Sequence, residues 1–218
     1  MSQPTGPFFE NMPADLLQEL QRTGSLRTFA PGETLFYEED RGDQLLAIVE
    51  GRVRVWRTSP RGAAMTVHLL GPGDLPGAAA VFGGMAYPAT ATAITDVRTL
   101  GWSIERAENM LQENAWLASS VLKIIAHRNE EMLQRLHEVS TQPVEQRVAR
   151  TLLRVAPEPA NFTPATRQEL AELSATTLHT VSRIISRWEA DGLVDAGRRR
   201  IRIADRSGLA QRADPVCG

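Results

Sequence analysis

The chain has 218 residues, a formal net charge of -2 and one cysteine, Cys217. Such a length makes about one to two domains with a real core, while one thiolate excludes an intrachain disulfide framework, a zinc cluster or a multi-cysteine iron-sulfur site. The apolar residues are scattered, with no run near the ~18 needed to cross a bilayer, and the start MSQPTGPFF lacks the basic-then-apolar pattern of a signal peptide, so a soluble cytoplasmic protein is expected.

The small net charge hides two asymmetries. Lysine occurs once, at Lys123, and the other 23 basic residues are arginine, the fork-shaped donor suited to phosphate and guanine. Up to residue 140 there are 12 basic and 17 acidic residues, net -5; beyond it 12 arginines face 9 acidic residues, net +3. The C-terminal third is the basic part, although an excess of this size points only weakly to nucleic acid.

In chain order, Asp15 to Arg22 places Leu16, Leu17 and Leu20 on one face of a short helix, with Pro13 in its first turn. From Leu26 to Ile104, short apolar and β-branched runs such as Val53-Arg-Val-Trp and Met65-Thr-Val-His-Leu-Leu alternate with the turn pairs Pro31-Gly, Gly42-Asp, Glu50-Gly, Pro72-Gly and Gly83-Gly. That punctuation predicts a rolled antiparallel barrel. The period then changes from two to about 3.6. A helix near Glu105 to Gln112 precedes a longer one from about Ala115 to Val139, on which Leu117, Val121, Ile124, Ile125, Arg128, Met132, Leu136 and Val139 recur at three- and four-residue steps. Two readings fit this face, a helix covering its own barrel and a parallel dimer seam. Its narrowness favours the seam. Ser140 to Pro143 breaks the helix, and Val144 to Val155 resumes it with Val148, Leu152 and Leu153 inward. The expected fold is α+β: a β-roll (double-stranded β-helix) over 1–113, a dimerisation helix over 114–140 and a winged helix-turn-helix over 141–218.

The helix-turn-helix lies between Thr166 and Glu189. Arg167 to Leu173 forms its first helix, Ser174-Ala-Thr a tight break, and Thr177 onward a second helix that packs through Leu170, Ala171, Leu178, Val181 and Ile185. The other face of this second helix carries Thr177, His179, Thr180, Ser182, Arg183 and Arg187. Short hydrogen-bonding groups near a helix start, with arginines further along, suit entry into a major groove and bidentate contact with guanine. Beyond it, Gly192 to Gly197 turns into Arg198-Arg-Arg-Ile-Arg-Ile203, a hairpin with three arginines at its tip. Arg198, Arg199 and Arg200, with Arg167 and Gln168, are the candidate phosphate contacts.

With roll, long helix and winged helix in that order, the chain resembles the CRP/FNR family of bacterial transcription regulators over nearly its whole length. The resemblance rests on Phe29-Ala-Pro-Gly-Glu33, Gly71-Pro-Gly-Asp74, Tyr87-Pro-Ala-Thr90 and the stretch from Arg167-Gln-Glu-Leu-Ala to Arg187-Trp-Glu189. It implies a cyclic-nucleotide-binding-like roll, a homodimer joined along the long helix, a two-fold symmetric operator in double-stranded DNA, RNA polymerase as a partner, and a signal held between roll and helix. Ser182 and Arg183 match the family's recognition pattern. His179 stands where many members have glutamate, which removes an acceptor for cytosine N4.

The resemblance also places the effector segment. Where cyclic-nucleotide-binding members carry glycine-glutamate and arginine-serine pairs, this chain has Gly77-Ala78 and Pro88-Ala89, and the long-helix positions that face the base are Met132 and Leu133. A buried phosphate without a cation is an uncompensated charge, so cyclic AMP is not the expected ligand. The missing N-terminal cysteines exclude the family's iron-sulfur mechanism. Gly77, Ala78, Tyr87, Ala89, Thr90, Met132 and Leu133 are the candidate effector pocket, and the apolar lining is similar to the branch that answers nitrogen-oxide and other redox signals, some of whose members bind haem. His68, His127 and His137 are the candidate axial ligands, and no other metal site is expected. Two alternatives stay open: a regulator with no effector, and a sensor subunit of a protein partner. With neither a Gly-x-x-x-x-Gly-Lys loop nor a His-Glu-x-x-His motif, no catalytic constellation stands out, and an enzyme is not expected.

Overall fold

A computed structural model of the chain describes residues 4–58, 62, 64–156, 162–163, 165–197 and 200–214. It divides into two compact units, Met1–Ala63 with Val67–Glu130, and Ala64–Thr66 with Glu131–Gly218. The elements run α1 (Ala14–Thr23), β1 (Ser25–Phe29), β2 (Thr34–Phe36), β3 (Gln44–Glu50), β4 (Val53–Thr58), β5 (Ala64–Leu70), α2 (Ala78–Phe82), β6 (Thr90–Ala93), β7 (Val97–Ser103), α3 (Ile104–Glu113) and α4 (Ala115–Thr141). The series continues with α5 (Val144–Val155), β8 (Phe162–Thr163), α6 (Arg167–Leu173), α7 (Leu178–Ala190), β9 (Val194–Gly197), β10 (Arg200–Ile203) and α8 (Arg206–Ala213).

Two antiparallel sheets form the roll, one ordered β1-β7-β3 and the other β2-β6-β4-β5. Strand β3 explains how they are held. Leu46 and Ile48 face a core shared by both sheets with Phe29, Phe36, Val53, Leu70, Ala91 and Val97. Leu45 and Ala47, on the opposite face, pack with Leu100 and Trp102 against Leu16 and Leu20 of α1 and Met110 of α3. A strand buried on both faces reads as a continuous apolar run, which is why Leu45 to Val49 shows no alternation.

The second of these clusters corrects the dimer seam. Leu117, Val121 and Ile124 of α4 are buried in it, and Ile125 packs against its edge, so these residues cover their own roll. Arg128, also assigned to the seam, pairs with Asp74. That carboxylate also accepts the Gly71 N–H at 2.8 Å across the Pro72-Gly turn. Gly73 stands in the left-handed region at φ +81°, and a Cβ there would lie 2.4 Å from the Gly6 carbonyl carbon, so the turn that presents Asp74 requires glycine. Further along α4, Met132 (51 %), Leu136 (65 %) and Val139 (45 %) are exposed, as is Leu122 (67 %). Helix α4 also runs to Thr141, past the expected stop, because the break comes only at Gln142-Pro143.

The winged helix gains two elements beyond the expected ones. Strand β8 makes the wing sheet three-stranded, in the order β8-β10-β9, and α8 closes the domain, its N-cap Asp205 accepting the Gly208 N–H at 2.9 Å.

Leu117→Ala opens a cavity in the first unit and is expected to cost about 2 to 5 kcal/mol. Leu136→Ala, at an exposed site, is expected to change the unfolding free energy of the isolated chain by less than about 0.5 kcal/mol. Urea unfolding at low protein concentration checks both, and equal losses would contradict the assignment of Leu117 to the roll core.

Candidate nucleic-acid interface

The first helix of the helix-turn-helix is fixed by a reciprocal cap. Thr166 Oγ1 accepts the Glu169 N–H at 3.1 Å, and Glu169 Oε2 accepts the Thr166 N–H at 2.7 Å, satisfying two otherwise orphaned donors. Its other end closes with Thr176 N–H donating to Ala171 O at 2.9 Å and Ala175 N–H to Glu172 O at 3.2 Å. This is the double bond pattern of a left-handed helix end, here with alanine at φ +49° where glycine is usual. Helix α7 then starts from Thr177, whose Oγ1 accepts the Thr180 N–H at 3.2 Å.

Leu170 and Ala171 of α6 are buried with Val181, Ile184, Ile185 and Trp188 of α7, which fixes the face of α7 that turns outward. Thr177, His179 and Arg183 are exposed on it, and Thr180 and Ser182 are half-buried. Two expectations change. Leu178, assigned to the packing between the helices, is 46 % exposed beside Thr177 and His179. The period could not show this, because Leu178 is the first residue of its helix and lies before the packed face begins. Arg187, assigned to base reading, instead has its guanidinium held 2.6 Å from the Glu145 carboxylate of α5.

Glu145 is the electrostatic centre of this unit. It also accepts from Trp188 Nε1 at 3.0 Å and lies 3.3 Å from Arg212 of α8, which reaches Asp191 at 3.1 Å. Burial by itself raises the Glu145 carboxyl, but the bonds from Trp188 and Arg187 and the charges of Arg187 and Arg212 outweigh it and hold the group below its ordinary value. Nothing in the sequence pattern marked this group.

Among the candidate phosphate contacts, Arg200 opens β10 and is exposed, and Arg198 and Arg199 lie outside the described residues. Gln168 Nε2 donates to Glu172 at 2.9 Å, and Arg167 is half-buried.

The candidate effector residues are scattered differently from the expectation. Gly77 caps α2 at φ +76°, and a Cβ there would lie 2.4 Å from the Tyr87 ring. That ring stacks on Phe36 at 3.8 Å and donates its hydroxyl to Gln44 O at 3.2 Å. Burial and the charge of Asp43 push the Tyr87 phenol up to about 12, so it stays a neutral donor. Ala78 and Ala89 are buried, and Thr90 Oγ1 accepts the Glu38 N–H at 3.0 Å. The roll members of the set are thus packed into the core, with the Tyr87 ring filling the space in front of Gly77, whereas Met132 and Leu133 are exposed on α4. Of the three candidate haem ligands, His127 and His137 are exposed on α4 and His68 is half-buried on β5. Among the described residues no group of three or more His, Cys, Asp or Glu is placed to hold a metal ion, and no helix is long and apolar enough to cross a membrane.

A β-roll, a long helix and a winged helix-turn-helix with an outward-facing second helix define a DNA-binding transcription regulator. Residues 26–114 match the cyclic nucleotide-binding domain family, and residues 146–212 match the Crp-like helix-turn-helix domain family. The chain belongs to the CRP/FNR family of transcription regulators. It is similar to the CRP-like cAMP-activated global transcriptional regulator of Mycobacterium tuberculosis, 25 % identical over 193 residues covering 85 % of this chain and 86 % of that protein. It is also similar to the cyclic AMP receptor protein of Thermus thermophilus, 29 % identical over 172 residues covering 78 % and 80 %. Among solved structures, FixK2 from Bradyrhizobium japonicum has the same fold, with a TM-score of 0.77 at 20 % identity, covering 86 % of this chain and 96 % of that one. The CRP/FNR-family regulator TTHA1359 from Thermus thermophilus superposes with a TM-score of 0.71 at 26 % identity, covering 87 % and 98 %.

Because the Glu145 carboxyl is held below its ordinary value, its contribution to stability is fully present above about pH 4.3, the unfolded value, and is lost as pH falls through the folded value. Glu145→Gln is therefore expected to lower stability at pH 7 and to flatten its fall between about pH 5 and 3. Thermal melts across that range check this, and an unchanged acid slope would contradict it.

Proposed function

We propose that the protein binds DNA as a homodimer on a two-fold symmetric operator. In this reading Thr177, Leu178, His179, Thr180, Ser182 and Arg183 face bases, while Arg167, Gln168 and the wing arginines Arg198 to Arg200 lie along phosphates. The observation that carries it is the outward face of α7, where the short polar side chains of Thr177 and Thr180 lead to the exposed Arg183, an arrangement that suits a groove-reading helix. The exposed apolar side chains Leu122, Met132, Leu133, Leu136 and Val139 on α4 support pairing with a second copy. Met132, Leu136 and Val139 follow the four- and three-residue steps of a coiled-coil seam, and Asn129, three residues before Met132, is exposed as well. RNA polymerase is the partner at promoters.

The signal is taken to be a non-cyclic-nucleotide one, redox or nitrogen-oxide chemistry included. The relatives named for cyclic AMP leave that ligand to be tested here. The stretch from Gly77 to Thr90 contains no charged residue, so it offers no cation to a cyclic phosphate. The Tyr87 ring packed against Gly77 favours a second reading, a regulator competent without any small effector.

Arg183→Ala is expected to weaken specific binding by roughly 1 to 3 kcal/mol and relax one base position. Arg200→Ala is expected to weaken all sequences alike and flatten the salt dependence. Binding isotherms on specific and random duplexes at several salt concentrations separate the two, and wild-type specificity in Arg183→Ala would remove α7 as the reading helix. Adding cyclic AMP is expected to leave both affinity and melting temperature unchanged; tighter operator binding with cyclic AMP would contradict the proposed signal class.

A further inference from the structure

Successive carbonyls at the end of α6 and in the turn before α7 are each met by a guanidinium. Arg135 donates to Leu173 O at 3.2 Å, Arg147 Nε to Ser174 O at 3.0 Å, and a second Arg147 nitrogen to Ala175 O at 3.1 Å. The remaining Arg147 nitrogen donates to Gln142 O at 2.9 Å, the residue between α4 and α5. These carbonyls are the acceptors a helix end leaves orphaned. What matters is where the donors stand. Arg147 belongs to α5 and lies, like Arg135, in the same compact unit as the turn it holds. Arg135 belongs to α4, on the same stretch as the exposed Met132, Leu136 and Val139.

The turn from Ala175 to Thr177 leads directly into α7, so whatever fixes Leu173 fixes the start of the reading helix. Between α4 and α5 the chain passes through Gln142-Pro143, where the helical hydrogen-bond ladder is interrupted, and such a break is a pivot unless side chains span it. Arg147 spans it by one bond to the pivot itself. Arg135 spans it from the far side, reaching across to α6. The site is buried enough that desolvation lowers the Arg135 guanidinium below its ordinary value, with Arg154 adding to this and Glu138 and Glu131 opposing it. Glu138 is itself buried and takes two bonds from Arg154 at 3.0 Å, so the base of the tie is anchored too. In such surroundings a lost donor leaves a carbonyl unsatisfied.

We propose that Arg135 is a specificity-determining positioning residue: by tying the helix-turn-helix to α4, it sets the distance between the two reading helices of the dimer and hence the half-site spacing that is accepted. The inference rests on the homodimer reading above. Two reading helices enter successive turns of one DNA face only when held about 34 Å apart, and a pivot free at Gln142-Pro143 would tolerate several spacings.

The test uses the full chain and a set of operators identical in both half-sites but with the spacer shortened or lengthened by one base pair. Wild type is expected to bind the altered spacers at least about 10-fold more weakly than the preferred one, the scale of a lost base-pair contact. Arg135→Met, which keeps length and packing but has no donor, is expected to reduce that ratio to about 3-fold or less while discrimination against mutated half-site bases stays at the wild-type value. Arg135→Lys, which still offers a donor to Leu173 O, restores the spacing preference. Should Arg135→Met fail to fold, Arg135→Gln, a polar head too short for the reach, makes the same comparison. A wild-type spacing preference in the donor-lacking variant overturns the inference. Wild type binding one half-site as a monomer, or showing no spacing preference, overturns the homodimer reading instead and the inference with it.

Discussion

The carbonyl end of α6 is the constraint from which the C-terminal unit follows. A helix that stops there must dispose of its last acceptors, and the chain does so with a left-handed alanine, Ala175, and with two arginines drawn from different helices. An alanine in that conformation costs about 1 to 2 kcal/mol relative to the right-handed region, and the bonds from Arg147 and Arg135 offset that cost. The direction in which the chain leaves the turn, and so the direction of α7, depends on this arrangement. Glu145 fixes the other end of α7 through Trp188 and Arg187. Helix α7 is therefore held at its entry by backbone capping and near its exit by a charge cluster, and its outward face between them is left to solvent.

The outline of the fold was legible because the local period changes from one kind of element to the next. The turn pairs of the roll, the three- and four-residue steps of α4 and the polar break at Ser174 each state a local geometry. What covers a given face is not stated. The apolar side of α4 is one stripe in the sequence from Leu117 to Val139, but its first part meets α1, α3 and the outer face of β3 and β7, while its later part is exposed among the described residues. A period gives the side of a helix and is silent about the partner, and this is why the first part was read as a seam. Arg128 illustrates the same limit, since its spacing placed it on the stripe and its charge sent it to Asp74.

The candidate interface was legible in its central residues and less so at its edges. Thr177, His179 and Arg183 emerge on the outward face because the packed residues Val181, Ile184 and Ile185 fix the opposite one. Leu178 and Arg187 were misplaced for separate reasons. The first precedes the packed face at the helix start, and the second was redirected by Glu145, more than forty residues away in the chain. The roll held a third surprise. Gly77 to Thr90 reads as a lining of small residues, yet small residues around Gly77 make room for an aromatic ring, and Tyr87 supplies that ring from within the chain. Composition could state that the segment is apolar; only packing states that it is filled.

The account stands or falls on whether α7 reads sequence as one half of a symmetric pair. The most direct measurement is selection of the duplexes that the purified protein retains from a random pool, followed by sequencing of the bound fraction. The account predicts enrichment of an inverted repeat whose half-sites are centred about 10 base pairs, one helical turn, apart. Retention without sequence enrichment, or enrichment of a single unrepeated element, would contradict it.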